Sequence, residues 1–160
     1  MNHALNMAAL RASAVYMAGG VAELLSRSAV PIEQIAFHEA GHSVAAMLVN
    51  RCPIRIVISA SGRSFVQFTD EDPVTNISQT DDEKIRAVVA VLQGAGQELD
   101  LGQVRAECTQ MLLKNWRAVE AVAEVLVARA GETGRAQMTG KEFMEIYKFN
   151  QEENYVLQKK

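Results

Sequence analysis

A run of apolar residues at helical spacing occupies positions 31–50, in the segment PIEQIAFHEAGHSVAAMLVN. Pro31 suits the first position of a helix, and Asn50 followed by Pro53 is typical of a helix end. Between them, steps of three and four residues place apolar side chains on one stripe of the helix surface. The members of this stripe are Ile32, Ile35, Ala36, Ala40, Val44, Met47 and Leu48. The pattern predicts a helix over 31–50.

Two short runs of β-branched and aromatic residues follow that helix, IRIVI at 54–58 and SFVQF at 64–68. Runs of this kind are typical of strands. The residues between them include Gly62, which a tight turn favours. The sequence therefore predicts a small β-hairpin beside the helix, followed by a loop over 69–76.

Further helices are predicted on both sides of this region. Thr80 and Glu83 have the spacing of a capping box, which marks a helix start. The acidic residues Asp81 and Asp82 favour the positive end of the same helix. The predicted helical segments are 4–27, 81–93, 100–116 with a continuation or a bend near Asn115 into 118–130, and a short helix at 140–149.

The two ends of the chain are predicted to differ from its middle. A second capping-box pair, Thr139 and Glu142, starts the last helix, and the polar residues after that helix are expected to fray. The adjacent glycines at 19–20 predict a break in the first helix. We expect a mainly helical α+β fold, made of the HEAGH-containing helix, the β-hairpin and a C-terminal helical bundle. The expected divisions are an N-terminal helical arm at 1–30, a domain at 31–150 and a polar tail at 151–160.

The composition of the 160-residue chain excludes some functions. The formal net charge is −3 and no long basic stretch occurs, so we expect no nucleic-acid binding. The uninterrupted apolar stretch at 12–22 is too short to cross a bilayer and lacks a basic leading region, which argues against a membrane span and a secretory signal. Cys52 and Cys108 lack CxxC spacing and are expected to be free thiols in a reducing compartment. The expected location is the cytoplasm.

The candidate chemistry lies in the pentapeptide His38-Glu39-Ala40-Gly41-His42, an H-E-x-x-H motif. Residues four apart lie one turn apart on the same helix face, so both imidazoles can bind one metal ion. Zinc lowers the pKa of a bound water to about 7, and Glu39 would take a proton from that water as it attacks a carbonyl. Gly41 costs a helix about 1 kcal/mol relative to alanine, which indicates close packing there. The alternative is a chance match on a surface helix.

A catalytic zinc ion usually has a third protein ligand. The remaining histidine, His3, lies near the chain terminus and is a poor candidate. By sequence position, the candidates are Asp100, Glu98 and Glu107. For each of these the alternative is a solvated helix residue, and the residues alone leave the choice open.

The segment IAFHEAGHSVAA resembles the zinc-binding helix of the FtsH-type ATP-dependent zinc metalloproteases, and HEAGH is its specific part. The likeness continues in order through RIVISASGRSFVQFTDED, DDEKIRAVVAVLQGAGQEL, ELDLGQVRAE and KNWRAVEAVAEVLVARAGETGRAQMTGKEFMEI, and it covers roughly residues 31–147. The resemblance implies a zinc metallopeptidase-like domain in which His38, His42 and Asp100 bind Zn²⁺ and Glu39 is the general base. The stretch before Asp100 is shorter than in the family and lacks its threonine-glycine-alanine-serine lead-in.

The resemblance also implies substrates and partners. The expected reaction is hydrolysis of peptide bonds in peptides or unfolded chains. The sequence contains no G-x-x-x-x-G-K-[ST] loop, so we expect no intrinsic ATPase and a separate ATPase partner, and the rings of the family imply a homo-oligomer. Two other functions stay open: a catalytically weak zinc-binding regulatory or protein-interaction module, and a zinc hydrolase of other carbonyl substrates.

Overall fold

The chain forms six helices and one three-stranded antiparallel sheet in the part that the computed structural model describes, residues 2–69 and 80–158. Side chains are described for 7–69 and 80–151. The elements are α1 (Asn2–Ser26), α2 (Pro31–Leu48), β1 (Pro53–Ser59), β2 (Phe65–Phe68), α3 (Asp81–Gly94), α4 (Leu101–Lys114), α5 (Trp116–Ala130), β3 (Arg135–Thr139) and α6 (Gly140–Gln158). The expected mainly helical α+β fold is confirmed.

Helix α2 is the central element of the fold. Pro31 occupies its first turn, as predicted, and the helix ends at Leu48. Nearly every residue between Ala36 and Ala46 is buried, not only one stripe. A helix that is buried all round must have neighbours on every side, and α2 packs against α1, α5 and β1.

The predicted β-hairpin is confirmed and is extended by a strand that the sequence did not reveal. The strand order is β2-β1-β3, with Ile56 of β1 opposite Val66 of β2 and opposite Met138 of β3. Strand β3 has only two buried positions, Ala136 and Met138, so its alternation was too short to predict a strand. In the described part of the chain, β2 forms one edge of the sheet.

The helices after the hairpin follow the predicted start signals. The capping box at Thr80 and Glu83 is present, and Thr139 and Glu142 also exchange backbone and side-chain hydrogen bonds. Asn115 separates α4 from α5, so the chain bends there. Helix α6 continues to Gln158 and is longer than predicted.

Two predicted segments fall partly outside the described residues. The predicted loop at 69–76 is described only at Thr69. Of the predicted polar tail at 151–160, the side chain is described only for residue 151. Both cysteines are free, as predicted: Cys52 is exposed and Cys108 is buried.

Helix α1 is continuous, and the predicted break at Gly19 and Gly20 is wrong. The predicted arm packs against α2 and shares its hydrophobic core. The residues of α1 in this core are Ala14, Val15, Ala18, Val21 and Ala22. The segment Met7–Ser26 is also long and apolar enough to cross a membrane by length and composition alone, and 44% of that window is buried inside the protein.

Close contact between α1 and α2 explains the glycine within the HEAGH helix. A Cβ at Gly41 would lie 2.5 Å from Cβ of Ala22 and 2.6 Å from the carbonyl oxygen of Ala18. Both distances are too short for carbon contacts, so only glycine allows this approach. The close packing predicted at Gly41 is confirmed.

We expect Gly41→Ala to lower the free energy of unfolding by about 2 kcal/mol. The added methyl group would press against the backbone of α1, and the cost of this overpacking outweighs the gain in helix propensity. Gly20→Ala is the matched control, since a Cβ at Gly20 meets nothing within 4 Å. Urea unfolding of both variants measures the difference. A Gly41→Ala protein as stable as Gly20→Ala would contradict the close approach of the two helices.

Candidate metal centre

The two histidines of the motif face each other across one turn of α2. The Nε2 atoms of His38 and His42 are 3.1 Å apart. The ring centroids are 4.8 Å apart and the ring planes are nearly perpendicular, at 77°. The expectation that both imidazoles reach the same point is confirmed.

A carboxylate from another helix meets the two rings at this point. Oδ2 of Asp81 lies 3.0 Å from Nε2 of His38 and 3.0 Å from Nε2 of His42. Zinc with bonds of about 2.0–2.1 Å and tetrahedral angles would place neighbouring ligand atoms about 3.3 Å apart. The three atoms therefore have nearly the spacing of ligands around one ion, and they form a group that could hold a metal.

The start of α3 explains why Asp81 is available to the histidines. Thr80 caps the helix by accepting a hydrogen bond from the backbone of Glu83, and the Glu83 side chain accepts one from the backbone of Thr80. Because these two residues satisfy the helix start, the carboxylate of Asp81, in the first turn, is not needed as a cap.

The outer nitrogen of each ring is held by an acceptor. Nδ1 of His42 donates to the carbonyl oxygen of Val15 at 2.7 Å, and Nδ1 of His38 donates to Oε2 of Glu23 at 3.1 Å. A carbonyl or carboxylate oxygen can only accept, so the hydrogen must lie on Nδ1 of each ring. In the neutral tautomer that results, both Nε2 atoms carry lone pairs. Metal-binding histidines have this arrangement.

Three atoms with lone pairs at this spacing repel each other unless a positive charge lies between them. A proton supplies part of that charge in the metal-free chain. Burial lowers the pKa of His38, but the hydrogen bond with Asp81 and the charge of Glu39 outweigh it and raise that pKa to about 9. Burial favours a higher pKa for Asp81, but its contacts with the His38 and His42 side chains hold that pKa well below its usual range. A divalent cation would satisfy all three atoms together.

Glu39 is buried beside the imidazole pair, with only 5% of its surface exposed. Burial raises the pKa of its carboxyl group, although the charges of His42 and His38 lower it in part. When the pKa of a carboxyl group is raised, its carboxylate form accepts protons more readily, and this is the property that a general base requires.

A cavity of about 310 Å³ opens onto these groups. Its lining includes Val15 and Tyr16 of α1, and Phe65, Val66 and Phe68 of β2. His38, Glu39, His42 and Asp81 also line the cavity. The polar groups therefore face a partly apolar cleft, as is usual in small-molecule and peptide sites.

The structure does not bring the sequence-predicted third ligand to the histidines. Asp100 is exposed and caps α4, accepting a hydrogen bond from the backbone of Gln103 at 3.1 Å. Glu107 is exposed and binds the Gln103 side chain, and Glu98 is exposed as well. The place expected for Asp100 is taken by Asp81, because the start of α3 and not that of α4 meets the motif.

Two further points concern the sequence-predicted residues. The side chain of His3 lies outside the described part of the chain. Asp81 was interpreted from the sequence only as a favourable charge at a helix start. One local signal could have indicated a different role for Asp81. Thr80 and Glu83 already complete the helix cap, so the cap does not need the Asp81 carboxylate.

Comparison of the chain with protein-family models, with curated proteins and with solved structures finds no match. The resemblance to FtsH-type peptidases therefore depends on the sequence motifs alone. The observed facts are the mainly helical α+β fold and the group formed by His38, His42 and Asp81.

We expect Asp81→Ala to weaken zinc binding by about 100-fold or more, because it removes one of three ligand atoms. Asp100→Ala should leave zinc affinity unchanged and lower the free energy of unfolding by about 1 kcal/mol through loss of a helix cap. Competition with a chromophoric chelator measures the affinity of both variants. Weaker zinc binding in Asp100→Ala than in Asp81→Ala would restore the assignment made from the sequence.

Zinc binding at pH 7 should release about one proton per chain from His38, because an ion must displace it, in addition to the proton that a bound water loses. The share from His38 should fall as the pH passes about 9, the pKa of His38, since the ring is then already neutral. Calorimetry in buffers with different ionisation enthalpies counts the protons. Binding at pH 7 without proton release would contradict the raised pKa.

Proposed function

We propose that this chain is a zinc-dependent metallopeptidase in which His38, His42 and Asp81 bind the ion and Glu39 is the general base. One observation carries the proposal. Two oriented Nε2 atoms and one carboxylate oxygen converge within 3.1 Å of each other, beside a buried glutamate and at the edge of a cavity.

The donor set supports zinc over calcium and magnesium. Calcium and magnesium prefer sites made of oxygen ligands, whereas two imidazoles and a carboxylate suit zinc. Structural zinc sites are usually closed by four protein ligands, and catalytic sites have three, with one position left for water or substrate. Among the residues that the structure describes, the group has three members.

Bound zinc would supply Lewis-acid chemistry, polarising a carbonyl and lowering the pKa of water to about 7. The chain's own residues then perform the proton transfers. Glu39 accepts a proton from the attacking water and returns it to the leaving amine. Val15 and Glu23 hold the two rings in place during these steps through their bonds to Nδ1.

The proposed substrate is an extended peptide or an unfolded chain that lies along β2. This strand is at an edge of the sheet in the described part of the chain, and its residues line the cavity that contains Glu39. Extended peptides bind to sheet edges through main-chain hydrogen bonds, and here they would use those positions of β2 that do not already have such a partner. A cytoplasmic location, a homo-oligomer and a separate ATPase partner that unfolds substrates remain predictions from the sequence.

One observation favours the second candidate, a zinc-binding regulatory or interaction module with little activity. Helix α1 lies directly against the ligand atoms at Gly19, where a Cβ would be 2.6 Å from Nε2 of His38. Helix α1 blocks access to the two nitrogens at this point, so a substrate must enter through one of the cavities beside it, the one lined by β2 or the one lined by α1 and α3. A cavity too narrow for a peptide would leave a metal site without turnover.

The experiment is a comparison of zinc content and peptide cleavage in three proteins. Glu39→Gln should keep about one zinc per chain, because Glu39 is not a ligand, and should lose about 10²–10⁴-fold in cleavage rate, the usual contribution of a general base. Glu33→Gln is the matched control on the same helix, since Glu33 bonds Ser28 and does not line the cavity. Casein and a mixed peptide pool are suitable substrates, with a chelator as a further control.

The outcomes separate the candidates. Cleavage that stops with the chelator and in Glu39→Gln, but not in Glu33→Gln, supports the peptidase. Wild-type protein that contains zinc and cleaves no peptide supports the binding module. Wild-type protein that neither contains nor takes up zinc would contradict the metal centre itself.

A further inference from the structure

Three contacts with the imidazole pair come from one face of α1. They involve the carbonyl of Val15, the missing side chain of Gly19 and the carboxylate of Glu23. These residues are spaced by four, so they lie one above the other on the same face of the helix. All three residues lie on α1, outside the HEAGH motif, which belongs to α2.

We propose that α1 is a constituent of the metal centre, in which Glu23 is a positioning residue for His38 and Gly19 lets the helix approach both rings without displacing their Nε2 atoms. The inference depends on the proposed function only in taking the site to bind zinc. It does not require that the protein cleaves peptides.

Glu23 acts on the ion through His38. Its Oε2 lies 3.1 Å from Nδ1 of His38, so it holds the hydrogen on Nδ1 and directs the lone pair of Nε2 toward Asp81 and His42. The negative charge of the carboxylate also makes the imidazole a stronger ligand. The two side chains are 26% and 40% exposed, for His38 and Glu23 respectively, so the contact is only partly screened by water.

Gly19 acts by letting the backbone of α1 lie close to the two rings. A Cβ there would lie 2.6 Å from Nε2 of His38 and 2.7 Å from its Cδ2, and it would also contact Nε2 of His42. A methyl group would therefore collide with both rings and displace the nitrogens that are to bind the ion. Glycine inside a helix costs about 1 kcal/mol relative to alanine, and this close approach gives position 19 a reason to bear that cost.

The neighbouring glycine, Gly20, shows that the steric contact with the histidine rings is specific to position 19. A Cβ at Gly20 would meet nothing within 4 Å, and the residue is exposed. Gly19 and Gly20 share the same helix and the same propensity cost, but only Gly19 faces the histidines. The pair therefore offers a matched comparison within two consecutive residues.

The first test measures zinc affinity of the full chain by chelator competition. Glu23→Ala should bind zinc about 10–100-fold more weakly than wild type, the usual effect of losing a group that orients a metal ligand. Glu23→Gln should lie closer to wild type, because its amide oxygen can still accept the hydrogen bond. Glu120→Ala is the control, since Glu120 is exposed on α5 and outside the cavity, and it should bind zinc like wild type.

The second test compares Gly19→Ala with Gly20→Ala. Gly19→Ala should lose zinc binding by 100-fold or more, whereas Gly20→Ala should bind zinc like wild type. Thermal unfolding of both metal-free variants shows whether the fold is retained. If Gly19→Ala fails to fold, the Glu23 series alone decides the inference.

A spectroscopic measurement separates positioning from a general effect on the fold. Nitrogen-15 NMR of the zinc-loaded protein should show both histidines with hydrogen on Nδ1. Glu23→Ala should weaken this signature at His38 and leave His42, which is held by Val15, unchanged. Equal changes at both rings, or at neither, would overturn the role of Glu23.

The outcomes also separate this inference from the proposed function. Wild-type protein that binds zinc while Glu23→Ala and Gly19→Ala bind it as tightly as their controls would overturn the inference and leave the peptidase proposal standing. Zinc binding that falls as expected, in a protein without any cleavage, would support the inference and overturn the peptidase. Wild-type protein without zinc affinity would overturn both.

Discussion

The site depends on the convergence of two imidazole nitrogens and one carboxylate oxygen, each about 3 Å from the others. Atoms with lone pairs repel at this distance unless a cation or a proton lies between them. The geometry holds because the opposite side of each ring is bonded, His38 to Glu23 and His42 to the carbonyl of Val15. These bonds set the tautomers and direct both lone pairs inward.

This constraint determines the roles of the surrounding elements. Helix α2 carries both histidines and the buried Glu39, and it is enclosed on all sides by the core. Helix α1 packs so closely on α2 that positions 19 and 41 exclude any Cβ. The start of α3 supplies Asp81, and β2 lines the cavity opposite α1. Helices α4 to α6 complete the fold and do not line the cavity.

Local signals predicted most of the elements and the three site residues of the HEAGH motif, but not the residues that other helices bring to it. The apolar stripe and Pro31 predicted α2, and the capping-box pairs predicted the starts of α3 and α6. These features act over three or four residues, so a sequence displays them directly. Strand β3 was missed because five residues with two buried positions carry little periodic signal. The predicted break at Gly19 and Gly20 was wrong because neither glycine forms a turn: Gly19 packs against the histidines, and Gly20 is exposed on the helix surface.

The sequence by itself determined the pairing of His38 with His42 and the place of Glu39 beside them, because one helical turn brings residues four apart onto the same face. Only the tertiary structure decided which carboxylate joins them. Asp81 and Asp100 both lie at the starts of capped helices, and the one local difference is that Asp100 is itself the cap whereas Thr80 and Glu83 already complete the cap beside Asp81. The packing of α1 against α2, and of α3 against α1, brings Asp81, Glu23 and the Val15 carbonyl to the rings, and contacts between residues 15 to 43 positions apart depend on the whole fold.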